Sequence, residues 1–412
     1  MKPHTNGPYL IILLTQDLNS PSGLGRYLPL AKNLVRQNYR VGILALHSNF
    51  DSIMTSDYWD QGVHVRYVSQ MHVQKTDNNT TYFSTVDLLK ISLKATAALL
   101  KAAMKESPDL VFVGKPHPMN GIAGFLTARI KSVPLIVDCD DYEAESNKTN
   151  SLWQKWVLKH FENSLPKRAD LVTTNTLFNK DRMQKLGINE GKIKYIPNGV
   201  DKDRFKPVSV DKLANLRHDL GLEDNKVIAY FGSLNLANHP VNLLIRSFAK
   251  IAQNQEKVRL LIVGGGGDME KLQDLVRELG IENKVVFTGR VHPDEIVAYY
   301  QLADISVDPV NDTLADRGRC PLKLFESWQM RVPVVTSDVG DRRLLAGEPP
   351  ALVLTKAGSS DALAEELQKL IQNPTTLLEM QTLAKIRSKD FDWVNISCNT
   401  KILFDNLLRN ES

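Results

Sequence analysis

Short runs of apolar residues alternate with amphipathic segments along most of this 412-residue chain. The runs "PYLIILL", "RVGILAL", "PDLVFVG", "VPLIVD" and "ADLVTTN" have the length and continuity of strands buried on both faces of a parallel sheet. Segments between them, such as "STVDLLKISLKATAALLKAAMK", have the period of helices. The pattern restarts at "KVIAYFGSL" and continues through "VRLLIVGGGGD", "KVVFTGR" and "ADISVDPV". It predicts an α/β protein with two doubly wound, Rossmann-like domains.

The restart of the pattern sets the expected domain boundaries. We expect an N-terminal domain over 1–205, a C-terminal domain over 206–389 and a connection around 200–225. The segment "WVNISCNTKILFDNLLRN" predicts a terminal helix within 390–412. The chain exceeds the roughly 250–300 residues that a single hydrophobic core supports, which agrees with two domains.

Composition is ordinary for a globular protein, with 42% hydrophobic and 24% charged residues and a net charge of +4. No basic block, zinc-ligand spacing or RNP-like aromatic motif is present, so we expect no nucleic-acid partner. The three cysteines lie far apart, which favours a reducing compartment and a cytoplasmic protein. The N-terminal run "YLIILL" is too short for a signal core or a membrane span and suits a buried strand.

Two glycine-rich loops follow strands and precede helices, where backbone N–H groups can meet an anion. The first contains Gly23 and Gly25, and the second runs from 264 to 267 with Gly265 inside it. Each loop has a second interpretation: the first could be only a tight turn, and the second only a helix start capped by Asp268. Neither has the full dinucleotide fingerprint, which makes a dinucleotide oxidoreductase the least favoured class.

Polar residues also follow two predicted strands of the first domain. His117 comes after "PDLVFV" between two prolines, a position where ligands meet side chains in parallel sheets. The acidic segment "VDCDDYEAESN" could bind a divalent cation, bind acceptor hydroxyls or cap the next helix. Because it lacks the EF-hand spacing, no metal site is expected.

The segment "LWQKWVLKHFENSLPKR" combines tryptophans with lysines. Peripheral contact with a membrane surface, at the cytoplasmic face, is one interpretation. The other, which we favour from the sequence, is that Trp153, Trp156, Val157 and His160 share a helical face that packs on the core.

The segment "RGRCPLKLFESWQMRVPVV" carries Lys323 and Glu326 three residues apart at the start of a helix before a strand. Such a pair could be only an exposed ion pair on a helix. At the edge of a parallel sheet, however, the glutamate could accept both hydroxyls of a ribose. Arg317, Arg319 and Lys323 could there meet phosphate charge.

Together these segments, with "YIPNGVDKDRF", "LLIVGGGGD" and "PLKLFESWQMRVPVVTSDVG", resemble the GT-B glycosyltransferases of family 4, the glycosyl transferases group 1. The resemblance implies metal-independent, retaining sugar transfer from a UDP-, GDP- or other nucleoside diphosphate sugar, with no cofactor. It also implies a donor site in the C-terminal domain, acceptor contacts in the N-terminal domain, a cleft between them, and a last helix that crosses back. Glu326 would bind the ribose, His117 would belong to the catalytic region, and the backbone of Arg290 and Val291 would border the base.

The chain departs from the family pattern at three positions. Gly318 stands where the family has the first glutamate of its Glu-x7-Glu motif, Ser233 where it has arginine, and Asn238 lies where it has lysine. The resemblance then leaves Lys323, Arg317 and Arg319 to meet the diphosphate, assisted by backbone donors. The backbone segment of this predicted donor site comprises Gly318, Cys320, Pro321 and Leu322.

The acceptor predicted from this resemblance is a sugar, a lipid-linked glycan or a small molecule. The departures leave a competing class open, namely a non-catalytic protein of the same fold that binds nucleotide sugars. An epimerase or a phosphorylase is a further alternative on paired α/β domains.

Overall fold

A computed structural model describes residues 6–76, 79–146 and 151–409. The first sheet has eight strands in the order β10-β9-β8-β7-β1-β2-β4-β3, all parallel except β3. A separate hairpin is formed by β5 and β6. The strands of this half are β1 Tyr9–Leu13, β2 Arg40–His47, β3 Asp57–Asp60, β4 Val63–Gln70, β5 Val73–Thr76, β6 Asn79–Tyr82, β7 Leu110–Gly114, β8 Leu135–Cys139, β9 Leu171–Thr174 and β10 Ile193–Tyr195. Its helices are α1 Leu28–Arg36, α2 Thr85–Met104, α3 Pro118–Lys131, α4 Glu143–Ser146, α5 Leu152–Ser164 and α6 Leu177–Lys185.

The second sheet has six parallel strands in the order β13-β12-β11-β14-β15-β16. Its strands are β11 Lys226–Phe231, β12 Val258–Val263, β13 Val285–Gly289, β14 Ile305–Asp308, β15 Val334–Ser337 and β16 Leu352–Thr355. The remaining helices are α7 Val210–Asp219, α8 Val241–Ala252, α9 Met269–Glu278, α10 Ile296–Leu302, α11 Leu314–Arg317, α12 Leu322–Gln329, α13 Arg342–Ala346, α14 Ser360–Gln372, α15 Pro374–Arg387 and α16 Trp393–Arg409. Two doubly wound sheets confirm the predicted fold class.

The central strands are apolar along their whole length because helices cover both faces of each sheet. On one face of the first sheet, Ala95 and Leu99 of α2 and Met119 and Ala123 of α3 form a common core with the strands. On the other face α1 and α16 pack together, and Phe404 of α16 joins that core. The sequence analysis did not predict β3, β5 or β6, which are short and carry polar residues.

The connection between the halves is only partly extended chain. Phe205 packs edge-on against Tyr300 of the second half, with ring centroids 5.7 Å apart, and α7 then occupies 210–219. The last helix returns to the first half, where the Trp393 indole N–H donates to the Gly25 carbonyl at 2.9 Å. Both contacts tie the ends of the second half to defined positions.

Helix α5 does not bury the face that the sequence favoured for the core. Trp153 is 45% exposed and Trp156 is 66% exposed, and His160 is exposed as well. The core interpretation is therefore wrong for these three side chains. Val157, the fourth residue of the predicted face, is half-buried, as is Phe161, and Glu162 is buried.

Candidate active site

The carboxyl ends of the parallel strands in the two sheets face each other across direct contacts. The Asn179 side-chain amide donates to the Gly318 carbonyl at 3.1 Å, and that of Asn198 donates to the Cys320 carbonyl at 2.8 Å. Ligands bind at this edge in open α/β sheets. The loops after β1, β7, β8, β11 and β14 are therefore the candidate site.

The first glycine loop approaches protein rather than open space. A Cβ atom on Gly25 would lie 2.3 Å from Leu322 Cδ1, and one on Gly23 would lie 2.7 Å from the backbone of Asp17 and Leu18. Leu322 begins α12, so this loop is where the N-terminal half contacts the start of the predicted donor helix. Both glycines are explained by close packing.

At the second glycine loop, the backbone after β12 passes close to the backbone after β11. Gly232 and Gly264 have φ values of 147° and 141°, which favour glycine, and a Cβ on Gly264 would lie 1.9 Å from the Gly232 carbonyl oxygen. The Gly265 carbonyl accepts from Leu234 N–H at 3.1 Å. Asp268 stands at the N-cap position of α9, but its carboxylate accepts from Leu236 N–H at 2.9 Å and makes no side-chain cap bond to the helix.

Arg290 and Val291 directly follow β13, whose last residue, Gly289, accepts from Gly264 N–H at 3.0 Å. Arg290 is exposed and Val291 is half-buried. The predicted border of the base therefore lies beside the second glycine loop. Position 290 offers backbone and an exposed cation there.

His117 is buried and has a partner on each ring nitrogen. Its Nδ1 lies 3.0 Å from the Thr15 hydroxyl and its Nε2 lies 3.0 Å from Glu143 Oε2. Burial alone would raise the pKa of Glu143, but Lys115 and His117 outweigh it and hold that pKa below its ordinary value. Since an ionised carboxylate only accepts, Nε2 carries the proton and Nδ1 can act as an acceptor.

The acidic segment after β8 surrounds an ammonium group. Lys115 Nζ lies 2.7 Å from Glu143, 2.9 Å from Asp141 and 3.4 Å from Asp140. Oxygen atoms of these three carboxylates lie within 4.8 Å of one another, the spacing of a cation site. Lys115 supplies the positive charge at its centre.

Glu162 holds the helix that carries Glu143. Its carboxylate accepts from Glu143 N–H at 2.8 Å and Ala144 N–H at 3.2 Å, and it pairs with Arg182 at 2.8 Å. Burial raises the pKa of Glu162 to about 7, although Arg182 opposes this.

The acidic segment after β8 also contains Asp138. This residue is fully buried in a bidentate pair with Arg26, so its role is structural.

In the C-terminal half, Lys323 is one member of a buried three-charge cluster. Asp308, the last residue of β14, lies 3.1 Å from Lys323 Nζ and 2.8 Å from Arg342 Nη2. Burial lowers the pKa of Lys323, against the attraction of Asp308. The Lys323 ammonium also lies 4.3 Å from the centre of the Tyr230 ring. With one carboxylate for two cations, the cluster has a net charge of +1.

Glu326, one turn further along α12, is held at the edge of the core rather than inside it. Its Oε2 accepts from the Tyr300 hydroxyl at 2.7 Å, and its Oε1 lies 3.6 Å from Arg204 Nη1. The side chain remains 16% exposed. Oε2 is therefore fixed in place by a hydrogen bond, whereas Oε1 makes only a long contact with the Arg204 guanidinium.

The two predicted arginines differ in position. Arg317 is exposed and forms a bidentate pair with Asp312, so the structure does not bring its charge to the cluster. Arg319 donates to the Asn238 carbonyl at 3.0 Å and lies 3.3 Å from Asp316.

Two of the three positions that depart from the family pattern contact the N-terminal half. A Cβ on Gly318 would lie 3.1 Å from Tyr142 Cβ, so this residue faces the N-terminal half. Asn238 donates to the Ser146 carbonyl at 3.1 Å and thus links the halves as well. Ser233 is exposed, and its carbonyl accepts from the Tyr230 hydroxyl. Cys320 is buried and Pro321 is the N-cap of α12.

Sequence reasoning missed several residues that fix the site. Asp308 and Lys115 each end or follow a predicted strand, so the rule that located His117 could have found them. Tyr300, Arg204 and Arg342 gave no such signal, because their partners lie 26, 122 and 34 residues away in the chain.

Comparison with known proteins explains this arrangement. The sequence profile of the glycosyl transferases group 1 matches residues 225–373, and that of glycosyltransferase family 4 matches residues 22–204. The chain belongs to the family 4 glycosyltransferases. This confirms the resemblance seen in the sequence and makes the protein a transferase rather than an oxidoreductase.

Curated relatives of this glycosyltransferase have transferase activities. The present chain is 23% identical to the D-inositol 3-phosphate glycosyltransferase of Corynebacterium glutamicum, over 77% of each chain. It is 28% identical to the GDP-mannose-dependent alpha-(1-6)-phosphatidylinositol monomannoside mannosyltransferase of Mycolicibacterium smegmatis, over 50% of this chain and 54% of the relative.

Solved structures show the same fold at lower identity. Sucrose-phosphate synthase from Thermosynechococcus elongatus superposes with a TM-score of 0.78 at 18% identity, covering 98% of this chain and 100% of that chain. HepE from Anabaena, in complex with UDP and glucose, gives 0.73 at 21% identity, covering 96% and 99%. These matches confirm the two-domain GT-B architecture. In the described part of the glycosyltransferase, no helix has the length and apolarity to cross a membrane.

Proposed function

We propose that this glycosyltransferase moves a sugar, with retention of configuration, from a nucleoside diphosphate sugar to a hydroxyl group. The acceptor is a sugar, a lipid-linked glycan or a small molecule, and the reaction belongs to glycan or glycolipid synthesis. The observation that carries the proposal is that one short helix at the strand ends, α12, holds both Lys323 and Glu326. Lys323 belongs to the buried cluster with Asp308 and Arg342, and Glu326 lies one turn further along. Support comes from HepE, crystallised with UDP and UDP-glucose, and from the relative that depends on GDP-mannose.

Departure of the diphosphate is the step that the C-terminal half would assist. Breaking the sugar–phosphate bond leaves negative charge on the nucleoside diphosphate, which fixed cations and oriented dipoles stabilise. The cluster offers a net charge of +1, and the N–H groups at the start of α12 add the positive end of the helix dipole. Lys323 belongs to both features, so it is the cation that we assign to the diphosphate.

Glu326 would bind the ribose of the donor. Tyr300 fixes Oε2, and this bond orients Oε1 toward a ligand hydroxyl. Arg204 Nη1 lies 3.6 Å from Oε1 and places a cation beside the carboxylate that would accept the ribose hydroxyls.

His117 would meet the transferred sugar on the opposite side of the cleft. Glu143 fixes its Nε2, so Nδ1 is the atom that can exchange the Thr15 hydroxyl for a sugar hydroxyl. In front-face retention the donor phosphate oxygen takes the acceptor proton, and no protein nucleophile is required.

We also propose that transfer needs no bound metal and takes place in the cytoplasm, with peripheral contact at the inner face of the membrane. Fixed cations already stand at both sides of the cleft, in Lys115 and in Lys323. Cys139, Cys320 and Cys398 are free thiols, as expected in a reducing compartment. Undiminished transfer after treatment with a chelator is the expected result, and loss of activity that magnesium restores would contradict it.

Donor binding and turnover test the proposal. A panel of nucleotide sugars is screened by thermal unfolding, and donors with one particular base should raise the stability of the protein. A ligand at one hundred times its dissociation constant adds about 2.7 kcal/mol to the free energy of unfolding. With that donor, Glu326→Ala and Lys323→Ala should each reduce transfer by about tenfold or more. The exposed pair Glu365 and Lys369 supplies matched controls, whose alanine variants should transfer at the wild-type rate.

Full activity in both Glu326→Ala and Lys323→Ala would overturn the donor assignment. Binding of a donor without transfer to any acceptor would instead favour the non-catalytic alternative. The anomeric configuration of the product, read by NMR before it can mutarotate, decides the stereochemical part. An inverted product would refute retention.

A further inference from the structure

The outer surface of three neighbouring helices in the N-terminal half is unusually apolar. In the described part of the chain, nineteen large hydrophobic side chains are exposed, and nine of them lie on α2, α3 and α5. The other ten are scattered over loops, helices and strand β3 in both halves. Scattered exposed residues are normal, whereas a contiguous apolar patch marks an interaction site.

Helix α2 carries apolar residues on two opposite sides. Ala95 and Leu99 face the core, while Val86, Leu89 and Leu93 follow one another at helical spacing on the outside and are 55–66% exposed. A helix that only covers a sheet needs one apolar stripe. The second stripe of α2 therefore has no function in the fold.

Helix α3 repeats this arrangement beside α2, with which it shares a core. Ile122, Leu126 and Ile130 lie at successive intervals of four residues and are 36–60% exposed. Its neighbour on the other side is α5, because a Cβ on Gly121 would lie 3.6 Å from Phe161 of α5. The three helices thus form one continuous outer surface, which we call the helical face.

On α5 the helical face becomes aromatic and cationic. Trp153 and Trp156 are exposed, as is Leu152 at 88%. A groove of about 510 Å³ opens on the outside of this helix. It is lined by Trp156, Lys159, His160, Asn163, Ser164 and Lys167.

The charge of the helical face is strongly positive. Segments 85–104, 118–131 and 152–168 contain three, two and four Lys or Arg residues, against the two acids Asp87 and Glu162. Glu162 is buried on the inner side of α5, so Asp87 is the acid on the outside of these segments. Of the cations on α5, Lys155 is paired with Glu145 of the preceding helix at 2.9 Å. On α2, Lys90, Lys94 and Lys101 line one flank of the apolar stripe.

We infer that the helical face docks this glycosyltransferase on an anionic membrane surface, with the α5 tryptophans inserted at the headgroup level and the lysines on the lipid phosphates. Apolar stripes flanked by lysines, with tryptophan at the boundary, are the chemistry of helices that lie in a membrane interface. The cationic excess selects anionic lipids over neutral ones.

The position of the helical face connects it to the cleft. Helix α3 starts immediately after His117, and α5 follows Glu143 by fewer than ten residues. The inference rests on the proposed function in one respect, since it selects the membrane-held class among the possible acceptors. A lipid-linked acceptor would then reach the cleft from the docked side.

Vesicle sedimentation tests the inference with the intact protein. Binding is expected to vesicles containing roughly one-third phosphatidylglycerol, to be absent with pure phosphatidylcholine, and to weaken severalfold when salt rises to about 0.5 M. Lys159→Glu/Lys167→Glu should reduce binding by at least about tenfold, because each cation near the surface contributes about fivefold. The control Lys257→Glu/Lys356→Glu changes two exposed lysines of the C-terminal half and the same net charge.

Tryptophan fluorescence supplies a readout that does not depend on charge. Brominated lipids should quench the emission of wild-type protein, and Trp153→Phe/Trp156→Phe should lose that quenching. Of the other three tryptophans, Trp328 and Trp393 are buried, and Trp59 lies on β3, outside the helical face. Leu378→Ala/Ile386→Ala removes exposed apolar side chains elsewhere and should bind vesicles like wild type.

Equal vesicle binding by the lysine variant and its control, or unchanged quenching in the double phenylalanine variant, would overturn the inference. So would a stable dimer that Trp153→Phe/Trp156→Phe or Lys159→Glu/Lys167→Glu disrupts, combined with no binding to vesicles. These outcomes are separable from the proposed function. Transfer from the donor to a soluble acceptor can be measured without any membrane, and it can succeed or fail independently of docking.

Discussion

Replacing Asp308 by asparagine should cost the protein about 3–5 kcal/mol of its free energy of unfolding. Asp308 is 2% exposed, and its carboxylate is shared by Lys323 at 3.1 Å and Arg342 at 2.8 Å. Arg342 itself is 1% exposed. Asparagine keeps the shape but leaves two buried cations without an anion, which is the costly way to break a buried ion pair.

Urea unfolding, followed by fluorescence and circular dichroism, measures this loss. A cost of 3–5 kcal/mol corresponds to a folding equilibrium constant lower by about two to four orders of magnitude, at 1.36 kcal/mol per decade. Asp338 supplies the control because it forms an ion pair with Arg343 in which both side chains are well exposed. Asp338→Asn should cost less than about 1 kcal/mol.

The pH range for this comparison follows from the pKa of Asp308. Burial opposes its ionisation, but Lys323 and Arg342 hold its pKa well below the ordinary value. The stabilisation is therefore fully present above the unfolded pKa of 3.8 and is lost only as pH falls through the lower folded value. A cost for Asp308→Asn that is no larger than that of Asp338→Asn at neutral pH would refute the claim that this cluster is a buried, mutually dependent unit.

Three further changes follow from other contacts. Glu162→Gln should reduce the loss of stability between pH 5 and pH 8 by about 2–3 kcal/mol. A carboxyl group with a pKa of 4.5 in the unfolded chain and about 7 in the folded protein destabilises the fold by that much as pH rises through this range, and urea unfolding at both pH values checks it. Gly25→Ala should reduce transfer about fivefold or more by pushing Leu322 away, whereas Gly267→Ala, with open space around its Cβ, should match wild type in the same assay. Trp393→Phe should lower the unfolding free energy by about 1–3 kcal/mol, measured in urea, since it removes the buried hydrogen bond to Gly25.

Strand positions and fold class could be predicted because they depend on local pattern alone. A continuous apolar run such as 110–114 can be stable only when both faces are covered, whatever covers them. The loops at the strand ends could be predicted for the same reason, and this placed His117, Lys323 and Glu326 at the cleft before any contact was known.

Partners across the chain could not be predicted. Arg26 and Asp138 are 112 residues apart, and Asn198 and Cys320 are 122 apart, yet each pair is in direct contact. No periodicity relates such positions, because their distance is set by how the sheets are wound and joined. The role of Gly318 could not be predicted either, because a Cβ at this position would lie 3.1 Å from the Tyr142 Cβ of the other half.

By itself the sequence determined two parallel sheets, the loops that border the cleft and membership in a glycosyltransferase family, since each follows from residues close together in the chain. Only the tertiary structure decided which charges neutralise one another and which apolar stripe of a helix is buried. Helices α2 and α5 show why: their apolar residues point to more than one side, and amphipathic periodicity cannot say which side meets the core. That choice is made by the helices and strands that pack beside them, and it left the tryptophans of α5 on the outside.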